Sequence, residues 1–236
     1  MNYSGFTRPV WTWLNQPGHG ITWLGMPMEV PSLPGTALVE TMRTFAASSP
    51  WSAWTRSVNQ LDSHDTARFR SVVGGASTQG RARHLVGLAL QATLPGVPQV
   101  FAGDELGLTG LTGEHSRTPM PWRHLERWDS ETLAAYRFWL SLRRDHVALR
   151  RGGLRWIQAG PESVTFLREH PVERLLVHVT RGEHDPVVLP AAGLGLSRSD
   201  RLETLAGTDP GCEDEHSVTM PRGVCAAHVY RLPHPL

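Results

Sequence analysis

His64 and Asp65 stand side by side in a polar turn within NQLDSHDTARF (residues 59–69), just after a short apolar run. A carboxylate placed there can accept hydrogen bonds from hydroxyl groups and stabilise a developing positive charge, and an imidazole beside it can bind the same polar ligand. About thirty residues later, PGVPQVFAGDELGL (95–108) repeats the design, with Asp104 and Glu105 where an apolar strand ends. In parallel β/α architectures the carboxyl ends of strands carry the chemistry. Two consecutive units of this kind outline the rim of a site for a polar substrate.

Elements must hold those turns in place. Ser57 to Leu61 reads as the strand that leads into His64, and Pro98 to Ala102 as the short buried strand that leads into Asp104. Between them Gly80 to Thr93 reads as a helix with Leu85, Leu88 and Ala89 on one face, stopped by Pro95. Thr36 to Ala47 has apolar residues at helical spacing, with Thr36 as its expected cap. Residues 15–35 are rich in Gly and Pro and read as loop. Asp129 to Arg150 reads as one long helix with Leu133, Tyr136, Leu140 and Val147 in its apolar stripe. Met1 to Trp13 starts abruptly with aromatics and reads as the end of a buried element. After Gly152-Gly153 the pattern changes. LRWIQAG, SVTFLRE, RLLVHVT, PVVLP and CAAHVYRL are short, partly alternating and separated by turn residues, which is an antiparallel β pattern. The expected fold class is therefore α/β in residues 1–152 and all-β in residues 153–236.

Composition bounds the function. With 236 residues, 40% hydrophobic and 19% charged, the chain has the makeup of a globular protein. A net charge of +1 implies no broad attraction to nucleic acid or to anionic lipid. All 23 basic residues are Arg, which reads as coding bias. Nine Trp is a high count, and flat aromatic faces serve both cores and sugar clefts. Cys212 and Cys225 are compatible with a disulfide or with two thiols. No Cys/His metal spacing and no dense Asp/Asn loop occurs, so neither a metal nor a cofactor is expected. No run long enough to span a membrane and no signal peptide is visible, which makes the cytoplasm the default expectation.

LDSHDT, PGVPQVFAGDELGL and SRTPMPW (116–122), in that order, resemble the α-amylase family of glycoside hydrolases, family 13. MNY with SHDT and the RxPMPW loop is most similar to its neopullulanase, cyclomaltodextrinase and maltodextrin glucosidase types. The resemblance covers about residues 1 to 160. It implies the C-terminal part of a (β/α)8 TIM barrel, about strands six to eight, followed by a β-sandwich. The opening MNYSGFTRPVWTWL would be the sixth strand and the residues just after it, and the helix near residues 133–152 the one after the eighth.

Carried over by position, the resemblance makes Asp65 the residue that hydrogen-bonds sugar hydroxyls beside the scissile bond and stabilises an oxocarbenium-like transition state. His64 would contact the same sugar. Arg117 either borders the cleft or pairs with a carboxylate, and Trp122 either stacks on a sugar or anchors its loop. Asp104 and Glu105 are read as holding the strands together rather than as site residues, and Arg68 as the partner of an acidic side chain. Asn2 and Tyr3 resemble positions near the barrel mouth. The family's nucleophile and acid/base lie on the fourth and fifth strands, so neither role falls on any residue here. Asp62, Glu105 and Glu114 are not their substitutes.

The resemblance thus implies a retaining α-glucan hydrolase of which this chain carries only the sugar-binding part, inactive alone, with an α-glucan and a missing N-terminal half as its partners. Three strands cannot close a barrel and would leave an exposed edge. The alternatives are a non-catalytic carbohydrate-binding chain and a structural partner of a split enzyme.

Overall fold

The computed structural model describes residues 1–236 apart from 24–25, 198–199, 212–215, 224 and 234–236. A π-helical turn, Tyr3–Thr7, runs into α1, Arg8–Leu14, which buries Val10, Trp11, Trp13 and Leu14. The strand expected here is absent among the described residues. Only the Asn2 N–H pairs with a strand, donating to the Val58 carbonyl at 2.7 Å, and the Asn2 carboxamide then takes the Gly5 N–H and starts the helix. Residues 15–23 and 26–34 are loop, as expected, with an isolated bridge between Thr22 and Glu29. Helix α2 is Gly35–Ala47; its N-cap is Pro34, so the expected Thr36 cap is not used. The short α3, Trp51–Trp54, comes directly after Pro50.

The candidate chemistry is held by a parallel pair of strands. β1, Val58–Gln60, lies beside β2, Val97–Gln99, in register Asn59 to Pro98. Both are shorter than the apolar runs in which they sit, because each chain turns away to form the loop that carries its carboxylates. Between them come α4, Phe69–Val72, and α5, Thr78–Thr93, the latter capped by Ser77 accepting from the Gly80 N–H. The turn into β2 depends on Gly96. Its φ of +121° suits glycine, and a Cβ there would lie 2.5 Å from the Asn59 carboxamide nitrogen, which is donating to the Pro95 carbonyl.

The long C-terminal helix is two helices. α6, Ser130–Asp145, ends at His146, whose extended backbone (φ −106°, ψ 114°) separates it from α7, Val147–Arg151. The break is held by Glu173, which accepts from the Ala148 N–H at 2.9 Å and pairs with His146 Nδ1 at 2.6 Å. A helix interior would have left no room for that interaction.

From Gly153 onward the structure is antiparallel. β3 (Gly153–Ala159), β4 (Ser163–His170), β5 (Glu173–Thr180), β7 (Glu203–Ala206) and β9 (Ala226–Leu232) form one sheet in the order β3-β4-β5-β9-β7. β6 (Val188–Pro190) and β8 (Ser217–Thr219) form a second, two-stranded sheet. β7 and β8 were not legible as strands. They are three or four residues long and lie among Gly, Pro and Asp.

Two cores result. The larger gathers Trp11, Trp13, Phe69, Leu88 and Trp139 with one face of the five-stranded sheet, including Val164, Phe166, Val177 and Val229. The smaller lies between the other face (Leu167, Leu176, Tyr230) and the β6–β8 layer (Leu189, Val218, Met220). Buried arginines tie the parts together, Arg168 across the junction of the parallel and antiparallel halves and Arg143 within the first half. Arg168 is fully buried and donates to the carbonyls of Thr93, Gly152 and Gly153. Arg143 donates to those of Ala92, Leu94 and Gly96. Burial lowers these guanidinium pKa values to about 9 and about 10.

Cys225 is partly buried, finds no sulfur partner among the described residues, and donates to the Arg181 carbonyl. Cys212 lies outside the described residues. No helix among the described residues is long and apolar enough to cross a membrane.

Candidate functional site

The turn that carries His64 and Asp65 leaves β1 at its carboxyl end, and the chain descends again at Phe69. Asp62 and Ser63 make it rigid. Asp62 is buried, and its Oδ2 accepts from the Phe69 N–H at 2.5 Å, pinning the exit of the turn to its entrance. Ser63 Oγ accepts from the Asp65 N–H at 3.1 Å and shares a 2.7 Å hydrogen bond with the Tyr3 hydroxyl. Thr66 closes the other side by accepting from the Ser63 N–H. Tyr3 is backed edge-on by Trp23, and Trp23 by Trp11. A polar turn thus rests on an aromatic stack.

On this base His64 Nε2 lies 3.1 Å from Asp65 Oδ1, and both side chains are about half exposed. They face outward, available to a ligand, while everything beneath them is satisfied or sealed. Arg117 completes the group. Its Nε donates to the His64 carbonyl at 3.0 Å, and its Nη2 lies 3.9 Å from Asp65 and 3.8 Å from Glu114. This loop approaches so closely that a Cβ on Gly113 would lie 2.8 Å from the Asp65 carbonyl carbon and 3.0 Å from the His64 oxygen. Only glycine allows that contact. The sequence marks Gly113 as a loop residue but gives no sign that it touches the turn.

The next layer down is a buried acid pair. Asp104, at the end of β2, takes an Arg68 Nη1 hydrogen bond at 2.8 Å, and Arg68 also donates to the carbonyls of Ala102 and Ser116. The Arg68 guanidinium lies over the Phe101 ring, 3.9 Å from its centroid. Arg68 is therefore the brace that ties the first turn, the second strand and the Arg117 loop together. Burial, and then the charge of Asp104 beside it, pushes the Asp62 carboxyl well above the ordinary carboxylate range. Burial also raises Asp104, against the pull of its hydrogen bond to Asp62 and of Arg68. One proton shared between the two accounts for the Asp62 Oδ1 that otherwise lacks a donor.

Of the residues singled out from the sequence, His64, Asp65 and Arg117 come together. Trp122 stands elsewhere on the loop. It is 67% exposed and packs edge-on against Trp128, with centroids 6.1 Å apart. Glu105 turns back to accept from the Gly103 N–H at 2.8 Å. Asn2 donates to the Asn59 side chain beneath the turn, at 3.0 Å. An apolar cavity of about 260 Å³ lies on the far side of the aromatic stack, lined by Trp11, Trp23, Met26 and Met28. No group of three His, Cys, Asp or Glu among the described residues could hold a metal ion.

The family model described as "Alpha amylase, catalytic domain" matches residues 26–151. The chain is 32% identical over 134 residues to neopullulanase 2 of Thermoactinomyces vulgaris, covering 56% of this chain and 22% of that protein. It is 33% identical over 121 residues to a cyclomaltodextrinase of a Bacillus species, covering 50% of this chain and 21% of the relative. It therefore spans only about a fifth of the length of these curated relatives. Among solved structures, a cyclomaltodextrinase superposes with a TM-score of 0.79 at 22% identity, over 99% of this chain and 36% of the other. The acarbose-soaked debranching enzyme of Nostoc punctiforme gives 0.74 at 24% identity, over 98% of this chain and 45% of that one. These likenesses at low identity speak to fold alone, but the family match covers more than half of the sequence: the chain belongs to the α-amylase family, through its catalytic domain.

Proposed function

We propose that the chain supplies the sugar-binding, charge-stabilising side of a retaining α-glucan hydrolase site. The observation that carries this reading is the outward-facing His64–Asp65 pair on a turn braced from below by Asp62, Ser63 and Tyr3 and from the side by Arg117. A carboxylate held in that way can receive hydroxyl hydrogen bonds that strengthen as a sugar ring acquires positive charge. The similarity to a neopullulanase and to cyclomaltodextrinases supports an α-glucan as the ligand. Trp122, exposed on the same loop, is assigned as a stacking surface for a sugar ring.

In this reading residues 1–152 are the last part of a barrel, the two parallel strands being those after its sixth, and residues 153–236 are the C-terminal β-sandwich. The nucleophile and acid/base then come from a segment outside this chain. The placement of the carboxylates supports that. A retaining site needs a nucleophile and an acid/base carboxyl about 5 Å apart, in addition to a stabilising residue such as Asp65. Of the other carboxyls around the turn, Asp62 and Asp104 are sealed and committed to Phe69 and Arg68, and Glu114 shares Arg117 with Asp65. The test is incubation of the chain with maltoheptaose, monitoring both binding and release of reducing ends. Binding without turnover is expected. Hydrolysis by the chain alone would place all the required carboxyls within it and refute the division of labour. Absence of binding with an intact fold would favour a purely structural half of a split enzyme.

A further inference from the structure

We infer that the smaller core is an acid-sensitive lock, in which protonation of the stacked His178–His228 pair releases the β6–β8 layer from the five-stranded sheet. His178 on β5 and His228 on β9 are direct cross-strand partners, on the same sheet face as Leu176 and Tyr230. Their rings stack 6.0 Å apart, and His228 stacks in turn on Tyr230 at 6.4 Å. His184, in the loop after β5, sets its ring edge-on to His178 at 5.6 Å.

Each ring has one satisfied nitrogen. His178 Nδ1 bonds the Thr165 hydroxyl at 2.8 Å, His228 Nδ1 accepts from the Thr208 N–H at 3.1 Å, and His184 Nδ1 meets the Asp185 carbonyl at 2.7 Å. The bonds at His228 and His184 fix opposite tautomers, with the proton on Nε2 of the first and on Nδ1 of the second. The three Nε2 atoms are buried and make no hydrogen bond among the described residues, although the Pro221 carbonyl lies close enough to His178 to favour its charged form. A proton added to His228 must enter at Nδ1 and displace the Thr208 N–H bond, and one added to His178 leaves both of its ring nitrogens as donors.

Among the described residues the surroundings offer little to balance that charge. Gln158 on β3 and Thr165 on β4 are neutral. Glu162, within electrostatic reach of His184, is engaged by both ends of the Arg181 guanidinium. Glu183 and Asp185 flank His184 but are exposed. Asp209 bonds Thr204, and the Tyr230 hydroxyl donates to the Thr208 carbonyl. The β6–β8 layer contributes Val187, Leu189, Val218 and Met220. Burial, then the two other imidazoles, holds His178 down to about 3, against a smaller upward pull from the Pro221 carbonyl. Burial, then His184, lowers His228. A histidine depressed in the folded state stabilises the fold fully above its ordinary value of 6.5, and that stability drains away as pH falls towards the folded value.

The β6–β8 layer is the part that yields. Its strands are three residues each and pair with one another and, through Thr219, with Gly211 alone among the described residues, whereas the opposite sheet face is packed against helices. A cleft of about 540 Å³ beside His184 gives water a way in. His84, in the larger core, is likewise lowered to about 3, but both of its nitrogens have partners, Arg70 and Tyr136. Local readouts therefore separate the two sites.

The test is amide hydrogen exchange across residues 187–190, 217–220 and 163–180 of the full chain, from about pH 7.5 to about pH 4.5. Leu189 and Val218 should lose protection roughly tenfold or more for each pH unit below about 6.5, while Phe166 and Val177 hold. In the His178→Asn/His228→Asn double variant that loss should begin at least about one pH unit lower. If the double variant does not fold, His184→Gln, in the loop, should give a smaller shift in the same direction. Unchanged protection of the β6–β8 layer over the range, or a folded variant that keeps the wild-type midpoint, would overturn the inference.

Discussion

Asp62 and Asp65 are three residues apart and have opposite environments. Asp65 is half exposed, and Asp62 is sealed beneath it with its carboxyl pushed up by burial and by Asp104. An acid whose folded pKa is raised adds stability below its ordinary value near 3.8 and loses it as pH rises through the folded value. Asp62→Asn should therefore leave the protein at least as stable at neutral pH, since an amide keeps an acceptor for the Phe69 N–H and supplies a donor for Asp104. Asp62→Ala should cost about 1–3 kcal/mol, because the Phe69 N–H then loses its partner. Urea titration of both variants at neutral pH checks this, and an asparagine variant as unstable as the alanine one would count against a shared proton. Gly113→Ala should weaken maltoheptaose binding by about tenfold with little change in unfolding midpoint, because the added methyl pushes the Arg117 loop off the turn.

At the scale of elements, the parallel pair and the helix between them were legible in sequence, because apolar periodicity and the Pro and Gly breaks set them directly. The motif turn was legible too, since SHDT closes on itself through local hydrogen bonds. Other features were not, for physical reasons. The opening residues are read as strand only through the family resemblance, yet helical geometry wins once the Asn2 side chain accepts from the Gly5 N–H. The break at His146 depends on Glu173, 27 residues away. The contact of Gly113 with Asp65 depends on where a loop lands, which no local pattern encodes. Long-range ties of this kind also join the two halves. Arg168 has only carbonyl partners, and removing it leaves the ends of Thr93, Gly152 and Gly153 dry and unsatisfied. Arg168→Ala should cost about 3 kcal/mol or more, and lysine should not rescue it, because a single ammonium cannot span three carbonyls. Chemical denaturation of the two variants is the check; full rescue by lysine would mean that charge, not geometry, makes the junction.

At the scale of the whole molecule, the parallel sheet has an open side. β2 pairs only with β1, and Val97 on it is 48% exposed. An unpaired parallel edge with apolar side chains recruits further strands. The chain should therefore associate in a concentration-dependent way on size exclusion. Monomeric behaviour at high concentration would indicate that the edge is adequately blunted by its own turns. The proposed sugar-facing half of an α-glucan site lies on the turn after β1, backed by Tyr3, Trp23 and Trp11. Its most direct test is the affinity of the chain for acarbose by calorimetry, wild type against Asp65→Asn. Measurable binding is expected, falling by about tenfold or more in the variant with the loss of one charge-assisted contact. Equal affinity in the two proteins would contradict a sugar-binding role for Asp65.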